Sequence, residues 1–90
     1  MAALLGATDV VIVWQVDEGR ERWRDFPKHL SDATEDQYNN RPTELLAYRW
    51  PTSGGRHIDY VIDVANMRQF RMDGDEVVSS RAIRRVLTQR

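Results

Sequence analysis

Apolar and polar residues alternate with a period of two over much of this chain, and one stretch breaks the alternation. Val10-Val11-Ile12-Val13-Trp14-Gln15-Val16 is β-branched and aromatic. That predicts a strand with Val10, Ile12, Trp14 and Val16 on one face. Asp17-Glu18-Gly19-Arg20 is a turn signal, and Arg22 to Phe26 predicts a returning strand. The hairpin should carry Trp23 into the region of Trp14, with both indoles largely buried as scaffold. Pro27 to Asn40 has helical spacing instead: Leu30, Ala33, Thr34, Gln37 and Tyr38 form a weak stripe. Ser31 or Asp32 offers a cap, Asp32 with Glu35 has the spacing of a capping box, and Asn39-Asn40-Arg41-Pro42 stops the helix.

The remainder predicts strands. Glu44 to Trp50 is one, ended by Pro51-Thr52-Ser53-Gly54-Gly55. Ile58, Tyr60, Ile62 and Val64 alternate through the next, with Ile62 expected in the core together with Met67 and Ile83. Met67 to Met72, closed by Asp73-Gly74-Asp75, and Ser80 to Leu87 complete a β-β-α-β-β-β-β order. A helix with so narrow an apolar face cannot hold a bundle together, so it must lie on a sheet. The expected fold class is α+β: a curved antiparallel sheet of about six strands with one helix packed against it.

Composition narrows the function. Ninety residues make one domain, and 41% apolar against 30% charged residues argues for a folded chain. With no cysteine, disulfides and thiolate chemistry are excluded. His29 and His57 lack metal-ligand spacing, so neither a metal nor a cofactor is expected. No apolar run reaches the roughly 18 residues of a membrane span, and the opening Met-Ala-Ala-Leu-Leu-Gly lacks the basic flank of a secretory signal. Work inside the cell, in cytoplasm or nucleus and off the membrane, is the expectation.

The net charge of −1 conceals an imbalance. Residues 1–45 hold five Lys/Arg against nine Asp/Glu, while residues 46–90 hold eight against five. Twelve of the thirteen basic residues are arginine, a planar fork of donors that fits carboxylate or phosphate. Arginine bias in the coding sequence accounts for the count equally well, and both readings stay open at this point. No Ser or Thr sits in a nucleophile motif, and Ser53-Gly54-Gly55 lacks the lysine and helix of a phosphate loop. Asp59 and Asp63, four residues apart on one strand, are about 13 Å apart, too far for an acid/base pair. The chain is read as a binding module and not an enzyme.

An ordered set of residues then carries a resemblance. Val13-Trp14 precedes the turn, Trp23 and Phe26 follow it, and Ser31, Glu35 and Tyr38 lie on the helix. Asp59-Tyr60-Val61-Ile62-Asp63 continues to Met67-Arg68-Gln69, and Arg81-Ala82-Ile83-Arg84-Arg85 opens the last strand. Together these resemble a WWE domain over about residues 10–86 of the single 1–90 unit. The resemblance implies a half-barrel sheet with one helix, and a recognition module found in ubiquitin ligases and ADP-ribosyl polymerases. Its ligand would be of ADP-ribose type: the iso-ADP-ribose unit of poly(ADP-ribose), ADP-ribose or an adenine nucleotide. The implied partners are therefore such a ligand or an ADP-ribosylated protein, and other proteins of ubiquitination pathways.

Carried over residue by residue, the resemblance puts Tyr60 at the pocket wall, Gln69 on polar groups of the ligand and Arg81 on phosphate. Glu35 orients neighbouring groups from the helix. Arg85 shares the strand face of Arg81 by parity and is a second phosphate candidate. Two positions depart from the family's polymer readers. Gln15 stands where they carry Tyr after the first Trp, and Arg22 where an aromatic often precedes the second. Gln15 hydrogen-bonds but supplies no ring, and Arg22 offers a phosphate contact, so weak binding is expected. The alternative is a protein-interaction module with a vestigial pocket. Nucleic acid is not the expected partner, because the aromatics fit core positions and the net charge is −1.

Overall fold

A computed structural model describes residues 10–89; the opening segment read above for its lack of a signal lies outside them. Six strands and one α-helix follow one another: β1 (Val10–Asp17), β2 (Trp23–Asp25), α1 (Lys28–Asn40), β3 (Leu46–Pro51), β4 (His57–Asp63), β5 (Arg68–Asp73) and β6 (Glu76–Gln89), with a short 3-10 turn, Ser53–Gly55, between β3 and β4. The six strands form one antiparallel sheet, a curled half-barrel, in the order β2-β1-β6-β5-β4-β3. This is the expected α+β class with its single helix.

The last strand holds the sheet together. β6 pairs with β1 through Ile83–Gln89 and with β5 through Glu76–Ala82, so its two halves serve different neighbours. It begins four residues earlier than Ser80, because Gly74 takes a left-handed φ of 61° and closes the β5–β6 turn tightly. Val77 and Val78 then extend the strand with β-branched residues. Arg71 faces Ser79 but Met72 faces Val77, which leaves Val78 as an extra residue. Such a bulge bends and twists its strand.

One face of the sheet is the core. Trp14, Phe26, Leu30, Ile62, Val64 and Ile83 are buried, with Ile12, Val16, Leu46, Tyr48 and Met67 packed against them. Trp14 is fully buried, and an indole removed from water this way stabilises a fold by about 5 kcal/mol at 25 cal/mol per Å².

One sequence expectation fails around this core and another is qualified. Neither Ser31 nor Asp32 caps α1, which starts directly after Pro27 without a side-chain cap. Pro27 enters the helix with its fixed φ, and its carbonyl accepts the N–H of Ser31 at 2.9 Å. Ser31 is buried one turn further on, where its hydroxyl accepts the backbone N–H of Trp14 at 3.0 Å. Asp32 pairs instead with Lys28 at 2.7 Å on the exposed side. The expectation for Trp23 is qualified rather than overturned: the indole is half-buried, but it lies outside the core cluster. Register explains it: Trp23 lies opposite Asp17, three residues beyond Trp14, so the period of two turns it to the other face. There Arg84 covers its ring at 4.2 Å.

Candidate functional site

The inner face of the sheet has two ends with different chemistry, and β6 runs through both. Arg81, Ile83 and Arg85 share that face, with Ile83 in the core between the two arginines.

At the Arg85 end, α1 lies over the sheet. Glu35 accepts Nε and a terminal nitrogen of Arg85, both at 2.8 Å, and the indole N–H of Trp14 at 2.9 Å. Asn39 donates to the same carboxylate at 3.0 Å. The Tyr38 ring meets Trp14 edge-on at 5.4 Å, and the Arg85 guanidinium stands over Tyr38 at 5.2 Å. Hydrogen bonding from Arg85 holds the Glu35 carboxyl down at about 2, against the upward push of burial. Every strong donor and acceptor here is matched by another, so this end is a clamp between helix and sheet.

At the Arg81 end, the register brings separated residues into rows. Leu46, Ile62, Gln69 and Arg81 lie opposite one another across β3, β4, β5 and β6. Tyr48 lies opposite Tyr60 in the adjoining row, and their rings stack at 6.0 Å with 28° between planes. Trp50, two residues on, leans on Tyr48 at 5.9 Å. A cavity of about 290 Å³ opens over this surface, with Tyr48, Trp50, Tyr60, Gln69 and Arg81 in its lining. That approaches the volume of ordinary small-molecule sites.

Polar groups in and beneath this cavity are unspent. Gln69 is 8% exposed, and its amide has no partner among the described residues. The Tyr48 hydroxyl is buried and likewise unpartnered among them, and burial pushes its pKa up, keeping it a neutral donor. Arg81 gives one terminal nitrogen to the backbone oxygen of Asp17 at 3.1 Å and has its other donors to offer. An aromatic wall, an amide able both to donate and to accept, and a guanidinium together suit a planar heterocycle joined to an anion.

Of the six residues singled out in the sequence, Tyr60, Gln69 and Arg81 line this cavity; Gln15, Arg22 and Arg85 do not. Gln15 is on the outer face, donating to Asp25 at 2.7 Å and accepting Arg84 Nε at 2.8 Å. Arg22 is exposed in the β1–β2 connection. Arg85 is on the face expected from parity, but its guanidinium is held by Glu35. Sequence reasoning missed Tyr48, Trp50 and Arg24, which also line the cavity. Leu46, Tyr48 and Trp50 at alternate positions carried a legible signal for the first two. Arg24 carried none, because its place depends on register with Val16.

A family model described as the WWE domain matches residues 12–85, most of the chain. No curated protein and no solved structure matches it. The chain belongs to the WWE family, a family of recognition and interaction domains rather than catalytic ones, whose members often bind ADP-ribose derivatives.

Proposed function

We propose that this WWE domain binds an ADP-ribose-type ligand in the cavity over β3 to β6. The ligand is the iso-ADP-ribose unit of poly(ADP-ribose), ADP-ribose itself or an adenine nucleotide. The supporting observation is that Tyr60, Gln69 and Arg81, from three different strands, line one cavity with unspent polar groups. In this reading Tyr60 and Tyr48 wall the adenine or ribose. Gln69 pairs with a polar edge, and Arg81 holds phosphate. The module works inside the cell, joining ADP-ribosylated proteins to a ubiquitination or ADP-ribosylation enzyme, and performs no chemistry itself.

The test is an NMR titration with iso-ADP-ribose, ADP-ribose, ADP and ATP. Saturable shifts centred on the amides of Tyr60, Gln69 and Arg81 are expected. Salt should weaken binding modestly, as for one diphosphate in a pocket, rather than steeply as for a tracked nucleic-acid backbone. If saturating concentrations of all four leave those amides unmoved, the reading is wrong. A protein-interaction module with a vestigial pocket then takes its place; that second reading draws on Gln15, which is tied to Asp25 and Arg84 and brings no ring to a ligand.

A further inference from the structure

The cavity mouth already holds an anion of the protein's own. Glu18 and Arg24 both line the cavity on its β1–β2 side, and Arg24 donates to the Glu18 carboxylate at 2.9 Å. Arg24 is opposite Val16 in the β1–β2 pairing, which turns it to the inner face. Glu18 is held at the mouth by the backbone. Its N–H donates to the oxygen of Arg22 at 2.9 Å, and the N–H of Gly19 donates to the Asp17 carboxylate at 2.7 Å. Gly19, Arg20 and Glu21 then take successive φ values of 112°, 55° and 60°. Left-handed backbone at two non-glycine residues in a row is disfavoured and persists where its surroundings dictate it. Arg81 grips the base of the same turn through the Asp17 carbonyl. The run Arg81, Asp17, Glu18, Arg24 thus sets a carboxylate in a segment gripped by one guanidinium and pairs it with another.

We infer that Glu18 is an internal competitor for the ligand's phosphate, and that Arg24 is the cation for which the two compete. The inference rests on the ligand reading proposed above and adds a specificity determinant to that site. A carboxylate and a phosphate oxygen make the same kind of charge-assisted bond to a guanidinium, so Arg24 serves one at the expense of the other. The exchange is feasible because the Arg24 and Glu18 side chains are 62% and 42% exposed, and an ion pair so exposed contributes little to stability. Glu18 then excludes anions that offer a lone phosphate with nothing for the aromatic wall. Only a ligand that also gains from Tyr60 and Gln69 offsets the loss of the pair. A neutral nucleoside, which has no call on Arg24, is indifferent to Glu18.

The test uses the full chain as wild type, Glu18→Gln, Arg24→Gln and the double variant, titrated with ADP-ribose, inorganic phosphate and adenosine. Both side chains are exposed, and circular dichroism checks that each variant stays folded. Glu18→Gln should tighten ADP-ribose about three- to tenfold, the size expected from freeing a surface cation and removing a nearby negative charge. It should bring inorganic phosphate into a measurable range and leave adenosine within twofold. In the Arg24→Gln background the gain from Glu18→Gln should largely vanish. Unchanged or weakened ADP-ribose binding by Glu18→Gln overturns the competitor role, even while the wild type still binds at Tyr60, Gln69 and Arg81. A gain that persists in full without Arg24 overturns the exchange. Absence of binding by all four proteins overturns both this inference and the ligand reading on which it rests.

Discussion

Arg81 and Arg85 are four residues apart on the same face of the same strand, yet they belong to different chemistry. Arg85 meets Glu35 of α1 through two hydrogen bonds, and its guanidinium faces the ring of Tyr38 on the same helix. Among the described residues, Arg81 hydrogen-bonds through its side chain only to the backbone oxygen of Asp17, at the edge of a cavity. The contrast extends to their neighbours. Around Arg85 the Trp14 indole and the Glu35 carboxylate are satisfied, whereas around Arg81 the Gln69 amide and Tyr48 hydroxyl have no partner among the described residues. A polar group already matched within the fold stabilises it; the Gln69 amide, unmatched and lining the cavity, is left for other partners. The helix makes the difference, because it meets one end of the inner face with the Glu35 carboxylate and the other with Leu30, an apolar side chain that matches no polar group there.

The strongest way to break that comparison is to damage the closed end. Trp14→Ala should cost about 3–5 kcal/mol, as large-to-small core changes do, out of roughly 5–15 kcal/mol for a whole domain. Urea denaturation should show loss of the cooperative transition or a much lower midpoint. Trp23→Ala should cost no more than about 2 kcal/mol, because its ring is covered on one side by Arg84 and is partly in solvent. Equal losses for the two would mean that the burial difference carries no energetic weight.

Acid should weaken the clamp next. The Arg85 guanidinium holds the Glu35 carboxyl at about 2 in the folded chain, below its ordinary 4.5. A group whose folded pKa is depressed stabilises the fold above its unfolded pKa and loses that contribution as pH falls through the folded one. Wild-type stability should therefore drop by about 1–3 kcal/mol between roughly pH 4.5 and 2, beyond the loss from other carboxylates. Glu35→Gln should be less stable at pH 7 and show a flatter profile in that window. Parallel profiles for the two proteins would show that the ion pair is not coupled to folding.

At the open end the order of effects reverses. Arg81→Ala should leave the midpoint of unfolding nearly unchanged while weakening a phosphate-bearing ligand about tenfold to a hundredfold. That follows from about 1.5–3 kcal/mol for a hydrogen bond to a charged group. Calorimetry beside thermal unfolding separates the two readouts, and a large stability loss with intact affinity would move Arg81 into the scaffold. The smallest effect is expected from Tyr48→Phe. Removing a buried hydroxyl without a partner should raise stability by about 0.5–1 kcal/mol. A destabilised Tyr48→Phe would mean that the hydroxyl has a partner in solution.

The amino-acid sequence by itself determined the order of elements, because β-branched alternation, one helical stripe and the turn residues are local signals. It also determined Trp14 as core, and the family pattern singled out Tyr60, Gln69 and Arg81, which the fold brings to one cavity. Strand parity placed Arg81 and Arg85 on one face but could not tell which of them a carboxylate would hold. That was decided by the pose of α1, which depends on packing that no local pattern encodes. The same limit applies to Trp23, whose face was set by the β1–β2 register, and to Ser31, which resembles a cap in sequence and serves as an acceptor for β1 in space. Tyr48, Trp50 and Arg24 join the cavity only through curvature and cross-strand pairing. A period of two assigns a residue to a face, but the neighbours it meets there come from strands far away in the chain, and only the folded sheet chooses them.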